Sequence, residues 1–243
     1  MLPLCIKAES QKLHRSPIWL ACFLLPLIPA LYGTYTYLQN TGILTGKWYS
    51  LWSQLTLFYA IFFYAPLIAL YCSYLWRLEH LNHNWNVLMT SPVSIRDIFL
   101  GKLTIILKVT VFTQLWLFAL YLLCGKIIGL PGLPDRSIFL WGLRGTFAAV
   151  AIGSLQLLLS MIIRSFAVPI GIALAGSILG MLAANQGFGM YFPYALMLMG
   201  MNSNKETDVL SGSAFSFLLG CGFYFLLFTG ISIRILKTKD VKA

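Results

Sequence analysis

Six apolar stretches, residues 17–37, 50–75, 103–124, 138–163, 167–184 and 213–233, leave this 243-residue chain few ways to fold. A hydrocarbon layer about 30 Å thick takes roughly 20 apolar residues per helix. No water reaches that depth to satisfy backbone N–H and C=O groups, so each stretch is predicted to be helical. The expected fold class is therefore all-α integral membrane, with six transmembrane helices in a single domain over residues 1–243. No internal repeat or low-complexity linker divides it. Composition agrees, with 59% apolar and 10% charged residues, against about 25% charged in soluble domains. The first stretch follows a basic start, as the core of a signal peptide does. It is long, though, carries Pro26 and Pro29, and ends in Tyr32, Tyr35 and Tyr37 without a small-residue cleavage pattern, so it is predicted to be a retained helix.

The net charge of +10 is unevenly placed. Lys7, Lys12, Arg15, Arg77, Arg96, Lys102, Arg164, Arg234, Lys237, Lys239 and Lys242 all fall on one side of a six-span chain. Lys47, Lys126, Arg136 and Lys205 fall on the other. Eleven against four is the positive-inside asymmetry, which puts both termini in the cytosol. The basic surplus faces anionic lipid, and no nucleic acid is expected as a partner. The five cysteines, Cys5, Cys22, Cys72, Cys124 and Cys221, are odd in number and scattered. They suggest neither a disulfide framework nor a metal site, and no cofactor is expected in this chain.

Outside the spans, two segments carry helical periodicity. In residues 2–15, Leu2, Ile6, Glu9 and Leu13 share one face while Lys7, Gln11, Lys12 and Arg15 take others, which predicts a helix lying in the cytosolic interface. Glu9 sits on the apolar stripe. Either it tilts to water or pairs with Lys12 one turn on, or a cation from another segment meets it. Between spans two and three, the insertion Arg77 to Ser91 places Leu78, Leu81, Trp85 and Leu88 on one face, with Glu79, His80, Asn82, His83 and Asn86 on the others. Ser91-Pro92 ends that helix, because the residue before proline avoids the α region. Ser94, followed by Asp97, has the spacing of a capping box that starts the next helix into span three. Helix, break and helix make an elbow, and an amphipathic segment at that place suits a soluble partner.

Before the last span, the stretch Met190 to Met201 is too short to cross and is divided by Pro193, which predicts a re-entrant or interfacial hairpin. Gly176 and Gly180, and separately Gly142, Gly145 and Ala149, are small-residue stripes that allow close helix approach, within the chain or between copies.

Enzyme chemistry finds little support. Glu79-His80-Leu81-Asn82-His83 lacks the i, i+4 histidine spacing of a zinc protease, no G-x-S-x-G elbow occurs, and Gly42 to Trp48 misses the phosphate-loop spacing. The seven acids lie in or near loops, so no pair of carboxylates at membrane depth is expected to serve a proton-coupled carrier. Any ATP driving this chain is expected on another polypeptide. The polar groups at membrane depth are Gln54, Gln114, Arg144, Gln156 and Ser160, candidates for a substrate path, with Arg144 at its outer mouth or snorkelling to the surface. Trp52, Tyr59, Phe62, Phe63, Tyr64 and Tyr71 are candidate lining, or ordinary packing.

Taken together, Glu9, Lys12-Leu13 and Arg15-Ser16, Pro26-Leu27-Ile28-Pro29, Trp48, Trp52 and Gln54, and Arg77, Glu79-His80, Asn84-Trp85, Leu88-Met89, Ser91-Pro92-Val93 and Lys102 resemble the permease subunits of type 2 ABC exporters. The resemblance is closest to the lantibiotic immunity permeases of Gram-positive bacteria, and the elbow is its most specific part. It implies a non-catalytic, multi-pass subunit of the bacterial cell membrane. In such a fold both termini are cytosolic, a coupling helix lies between spans two and three, and re-entrant elements precede span six. It implies as partners a cytosolic ABC ATPase dimer holding ATP and Mg, a second permease, identical or paralogous, and a peptide antibiotic as cargo. Glu79, His80, Asn82, His83, Trp85 and Asn86 would contact the ATPase, and Ser91, Pro92, Ser94 and Asp97 would form the elbow. The same architecture exporting a bacitracin-like drug, a lipid or an ion, or serving as an anchor or sensor subunit, is the alternative.

Overall fold

The computed structural model describes the chain except for residues 15, 82, 83, 86–89, 91, 206 and 239–243. Among the described residues, secondary structure is helical throughout. Six helices are long and apolar enough to cross a membrane: Ile18–Gln39, Trp48–His80, Ile95–Ile127, Arg136–Ile162, Ala167–Asn185 and Ala214–Thr238. Spans two and three exceed the expected 50–75 and 103–124, because the polar residues flanking the elbow continue the same helices.

Proline chemistry shapes the first two spans. Pro26 and Pro29 lack an N–H and crowd the carbonyl four residues back, so span one is split into α2 (Ile18–Leu24) and α3 (Leu27–Gln39). Span two is α4 (Trp48–Phe58) and α5 (Tyr64–His80), joined by one wide π turn at Tyr59–Phe63. Pro66 would clash with the carbonyl of Phe62, and widening the turn relieves the conflict. Ahead of span one, α1 (Leu2–Leu13) is a separate helix. Span three is α6 (Ile95–Ile127), begun by Ser94, whose Oγ accepts from the Asp97 amide at 3.1 Å. Spans four and five are α7 (Arg136–Ile162) and α8 (Ala167–Asn185).

At the heart of the bundle α7 packs on α5 and α6, and α5 packs on α8. Spans two and four are each 67% buried over their most apolar window, whereas span six, α10 (Ala214–Thr238), is 11% buried and lies at the periphery against α7. Trp52, Tyr59, Tyr64 and Tyr71 are fully buried core residues, so packing explains them, while Phe62 is exposed.

The segment before span six forms a short turn of 3-10 helix at Gly189–Tyr191 and then α9 (Ala195–Gly200), with Ala195, Leu196, Met197 and Met201 fully buried. Both small-residue stripes receive it. A Cβ at Gly176 would meet the Tyr194 ring at 2.6 Å, one at Gly180 the Ala195 nitrogen at 2.8 Å, and one at Gly145 the Met201 Cγ at 2.5 Å. Their packing is thus within the chain. Trp52 Nε1 fastens the segment by donating to the Met201 carbonyl at 2.8 Å.

Candidate functional site

The helix α1 lies against α6, and at Gly101 the approach is tight: a Cβ there would sit 3.0 Å from Cys5 Cβ. The next residue, Lys102, reaches α1 with its side chain. Its ammonium, fully buried, donates to both carboxylate oxygens of Glu9 at 3.0 Å and to Glu79 Oε1 at 2.7 Å. Lys12 Nζ donates to Glu9 Oε1 at 2.7 Å and also to Glu79 Oε1. Two carboxylates and two ammonium groups thus close one neutral cluster that joins α1, α5 and α6. Its balance matters more than its gross attraction, since an uncompensated charge left behind in such a site is costly. Burial opposes the charge on Lys12, but Glu9 and Glu79 outweigh it and hold this lysine above its usual range.

The cluster continues into the loop between spans two and three. Lys102 Nζ lies 5.0 Å from the centre of the Trp76 ring, a cation–π distance. Trp76 packs on Trp85 at 5.5 Å, and Trp85 stacks on His80 at 5.7 Å with the rings 3° from parallel. Asn84 Nδ2 donates to the Leu78 carbonyl at 2.9 Å and folds the loop back. His80 Nε2 lies 3.4 Å from the Ser160 carbonyl, and the Arg77 guanidinium sits 5.4 Å from the Phe166 ring, so the end of α5 also reaches the turn between spans four and five.

These placements change the reading of several expected contact residues. Glu79 is 5% and Trp85 4% exposed, so both side chains face the protein in this chain. Their physical reasons are the lysines around Glu79 and the aromatic stack around Trp85. His80 is half-buried. Asn82, His83, Asn86 and Ser91 lie outside the described residues. Pro92 and Ser94 are exposed and Asp97 is half-buried at the start of α6. Glu9 has two cationic partners, Lys12 on its own helix and a second from another segment. That second cation is Lys102, on the helix leading into span three, and the acid on an apolar stripe is the sequence signal that points to it.

The polar groups at membrane depth do not form one lining. Gln114 Nε2 donates to the Gly142 carbonyl at 3.4 Å, Gln156 Nε2 to Tyr194 Oη at 2.6 Å, and Ser160 Oγ pairs with Ser73 Oγ at 3.2 Å. Gln54 is half-buried. Gln114 and Ser160 tie one helix to another and Gln156 ties α7 to the turn before α9, and among the described residues no hydrogen bond joins any two of the expected path residues. Arg144 Nη1 donates to both oxygens of Asp208 at 2.8 Å, which anchors the loop before span six to span four. Burial opposes ionisation of Asp208, but Arg144 outweighs it and holds the carboxyl below its usual range.

Residues 5–180 match the family described as ABC-2 family transporter protein. No curated protein and no solved structure matches the chain.

Proposed function

This chain belongs to the ABC-2 transporter family and is the membrane permease of an ABC transporter, partnered by an ABC ATPase; from that premise we propose that it exports a membrane-active peptide antibiotic, as lantibiotic immunity permeases do. In this reading both termini and the loop between spans two and three face the cytosol of a Gram-positive cell. Residues 78–90 dock in a groove on the ATPase dimer, which carries ATP and Mg. Closure of that dimer favours one of two arrangements of the membrane domain, and the energy of ATP binding selects between them. A second permease, identical or paralogous, completes the pore.

The observation that carries the coupling is the unbroken chain of contacts from Trp85 through Trp76 to Lys102, and from Lys102 to Glu9 and Glu79. Force applied to the loop reaches spans two and three and α1 together, because the charges hold all three as one body. The exposed face of the loop, rather than Glu79 or Trp85, then supplies the contact with the ATPase, and the two buried residues set its position. The peptide cargo rests on the ordered residues of the elbow and N-terminal segment that resemble immunity permeases.

The test is co-expression with its ATPase and second permease in a sensitive host, scored against a panel of lantibiotics, bacitracin and non-peptide drugs. Protection confined to lantibiotics is the expected result. Protection against bacitracin alone would move the cargo to the alternative class, and unchanged killing by every peptide would overturn the peptide-immunity reading.

A further inference from the structure

Between α1 and the beginning of α6 lies a cavity of about 280 Å³ walled by Leu4, Cys5, Ala8, Val93 and Ile98. We infer that it holds one acyl chain of an anionic phospholipid whose phosphate accepts a hydrogen bond from Lys12. Away from its polar end the recess is walled by apolar side chains, and burying an apolar ligand there removes apolar surface from water. The surroundings say which ligand. Leu4 on α1 and Met1 just before it are 65% and 67% exposed, as befits a helix lying in a lipid interface beside a spanning bundle. The molecule at hand there is a lipid.

An acyl chain gains little by leaving other acyl chains for an apolar pocket, so its headgroup must supply the preference. Lys12 and Glu9 supply the polar end of the cavity. The lysine side chain is 30% exposed, while that of Lys102 is fully buried. Lys12 has three N–H donors and spends two on Glu9 and Glu79, which leaves one for an outside acceptor. Glu9 repels an anion little, because both of its oxygens already accept from Lys102. Exposed Lys7 and Arg96 lie on the two elements that wall the cavity, and half-buried Asp97 is the one further acid among those elements' first residues. The local balance is basic, which favours an anionic headgroup over a zwitterionic one. Lipid at this place would brace α1 against α6 beside the ion cluster, and it does so whatever the cargo is.

The full chain, in nanodiscs of equal parts phosphatidylglycerol and phosphatidylethanolamine, is released for native mass spectrometry. One retained lipid is expected, with phosphatidylglycerol favoured about fivefold, the worth of one basic residue acting on its net negative charge, since both lipids offer Lys12 a phosphate. Ala8→Phe fills the cavity and should lower that retention about tenfold at unchanged Tm. Cys5 gives a second readout that needs no substitution, since it is half-buried while the other four cysteines are buried. Its modification by a maleimide should be slower in phosphatidylglycerol discs than in phosphatidylethanolamine discs. Equal retention of the two lipids, retention unaffected by Ala8→Phe, or Cys5 labelling indifferent to headgroup would each overturn the inference.

Discussion

Lys102 Nζ and Glu79 Oε1 meet at 2.7 Å across the gap between spans three and two, beneath the loop that joins them. The two residues are brought together by helices that diverge into a loop, so their pairing closes the base of that loop as a clasp would. Glu9 and Lys12 complete the clasp from α1, and the result is a cluster in which each charge has an opposite neighbour.

Lys102→Met leaves Glu9 and Glu79 with Lys12 as their sole ammonium. The expected cost is about 3–5 kcal/mol, the usual penalty for stripping one partner from a buried pair. Adding Glu79→Met to that variant restores a neutral Glu9–Lys12 pair and should recover much of the loss. Thermal unfolding in detergent measures both, and equal destabilisation by the single and double variants would show that charge balance is not what matters.

Trp85→Ala should separate stability from coupling. It removes the ring that stacks on His80 and packs on Trp76, without touching the ion cluster itself. The expected result is normal membrane insertion with cargo-stimulated ATPase activity of the reconstituted transporter reduced at least about tenfold, equivalent to about 1.4 kcal/mol of lost coupling. Undiminished stimulation would remove the stack from the coupling route.

Gly180→Ala should destabilise the protein by about 1–3 kcal/mol, because the new Cβ meets backbone and cannot be accommodated by a rotamer change; it would lie 2.8 Å from the Ala195 nitrogen. Gly220→Ala on the last span meets nothing within 4 Å and should change stability by less than about 0.5 kcal/mol. Unfolding midpoints of the two variants, compared side by side, check the assignment of the Gly176/Gly180 stripe to packing within the chain.

Acid should weaken the far end of the bundle. Asp208 has a folded pKa below its unfolded value, with Arg144 as the cause that outweighs burial. The stabilisation from this pair is therefore fully present above the ordinary carboxylate pKa of about 3.9 and is lost as pH falls through the lower folded value. Asp208→Asn should flatten the acid limb of a Tm-against-pH curve. Lys12 gives the opposite sign: its folded pKa is raised, so its contribution persists below about pH 10.4 and disappears as pH rises through the folded value.

The spans were legible in the sequence because length and hydropathy leave lipid-crossing helices little freedom, and the start of α6 was legible because Ser94 and Asp97 have capping spacing. Their full extent was not. The polar end of span two reads as the start of a separate segment, yet it continues the same helix to His80, where Glu79 is neutralised by Lys12 and Lys102. Glu9 announced a missing cation, but nothing local named Lys102, 93 residues away. Trp85 sits with Leu78 and Leu81 on the apolar face, in keeping with its burial, whereas Glu79 sits on the polar side and turns inward through contacts with Lys12 and Lys102 that the periodicity does not contain. Likewise the two small-residue stripes predicted close approach, while the identity of what approaches, Tyr194 to Met201, depended on how the chain returns before its last span.

Span three is one uninterrupted helix of 33 residues, about 50 Å from end to end at 1.5 Å per residue, while the hydrocarbon it crosses is about 30 Å thick. Roughly two fifths of this rod must stand outside the oily layer. A stiff beam that protrudes so far cannot lean at its exposed tip without leaning throughout, so the same few degrees of tilt arrive at the opposite leaflet with no joint to absorb them.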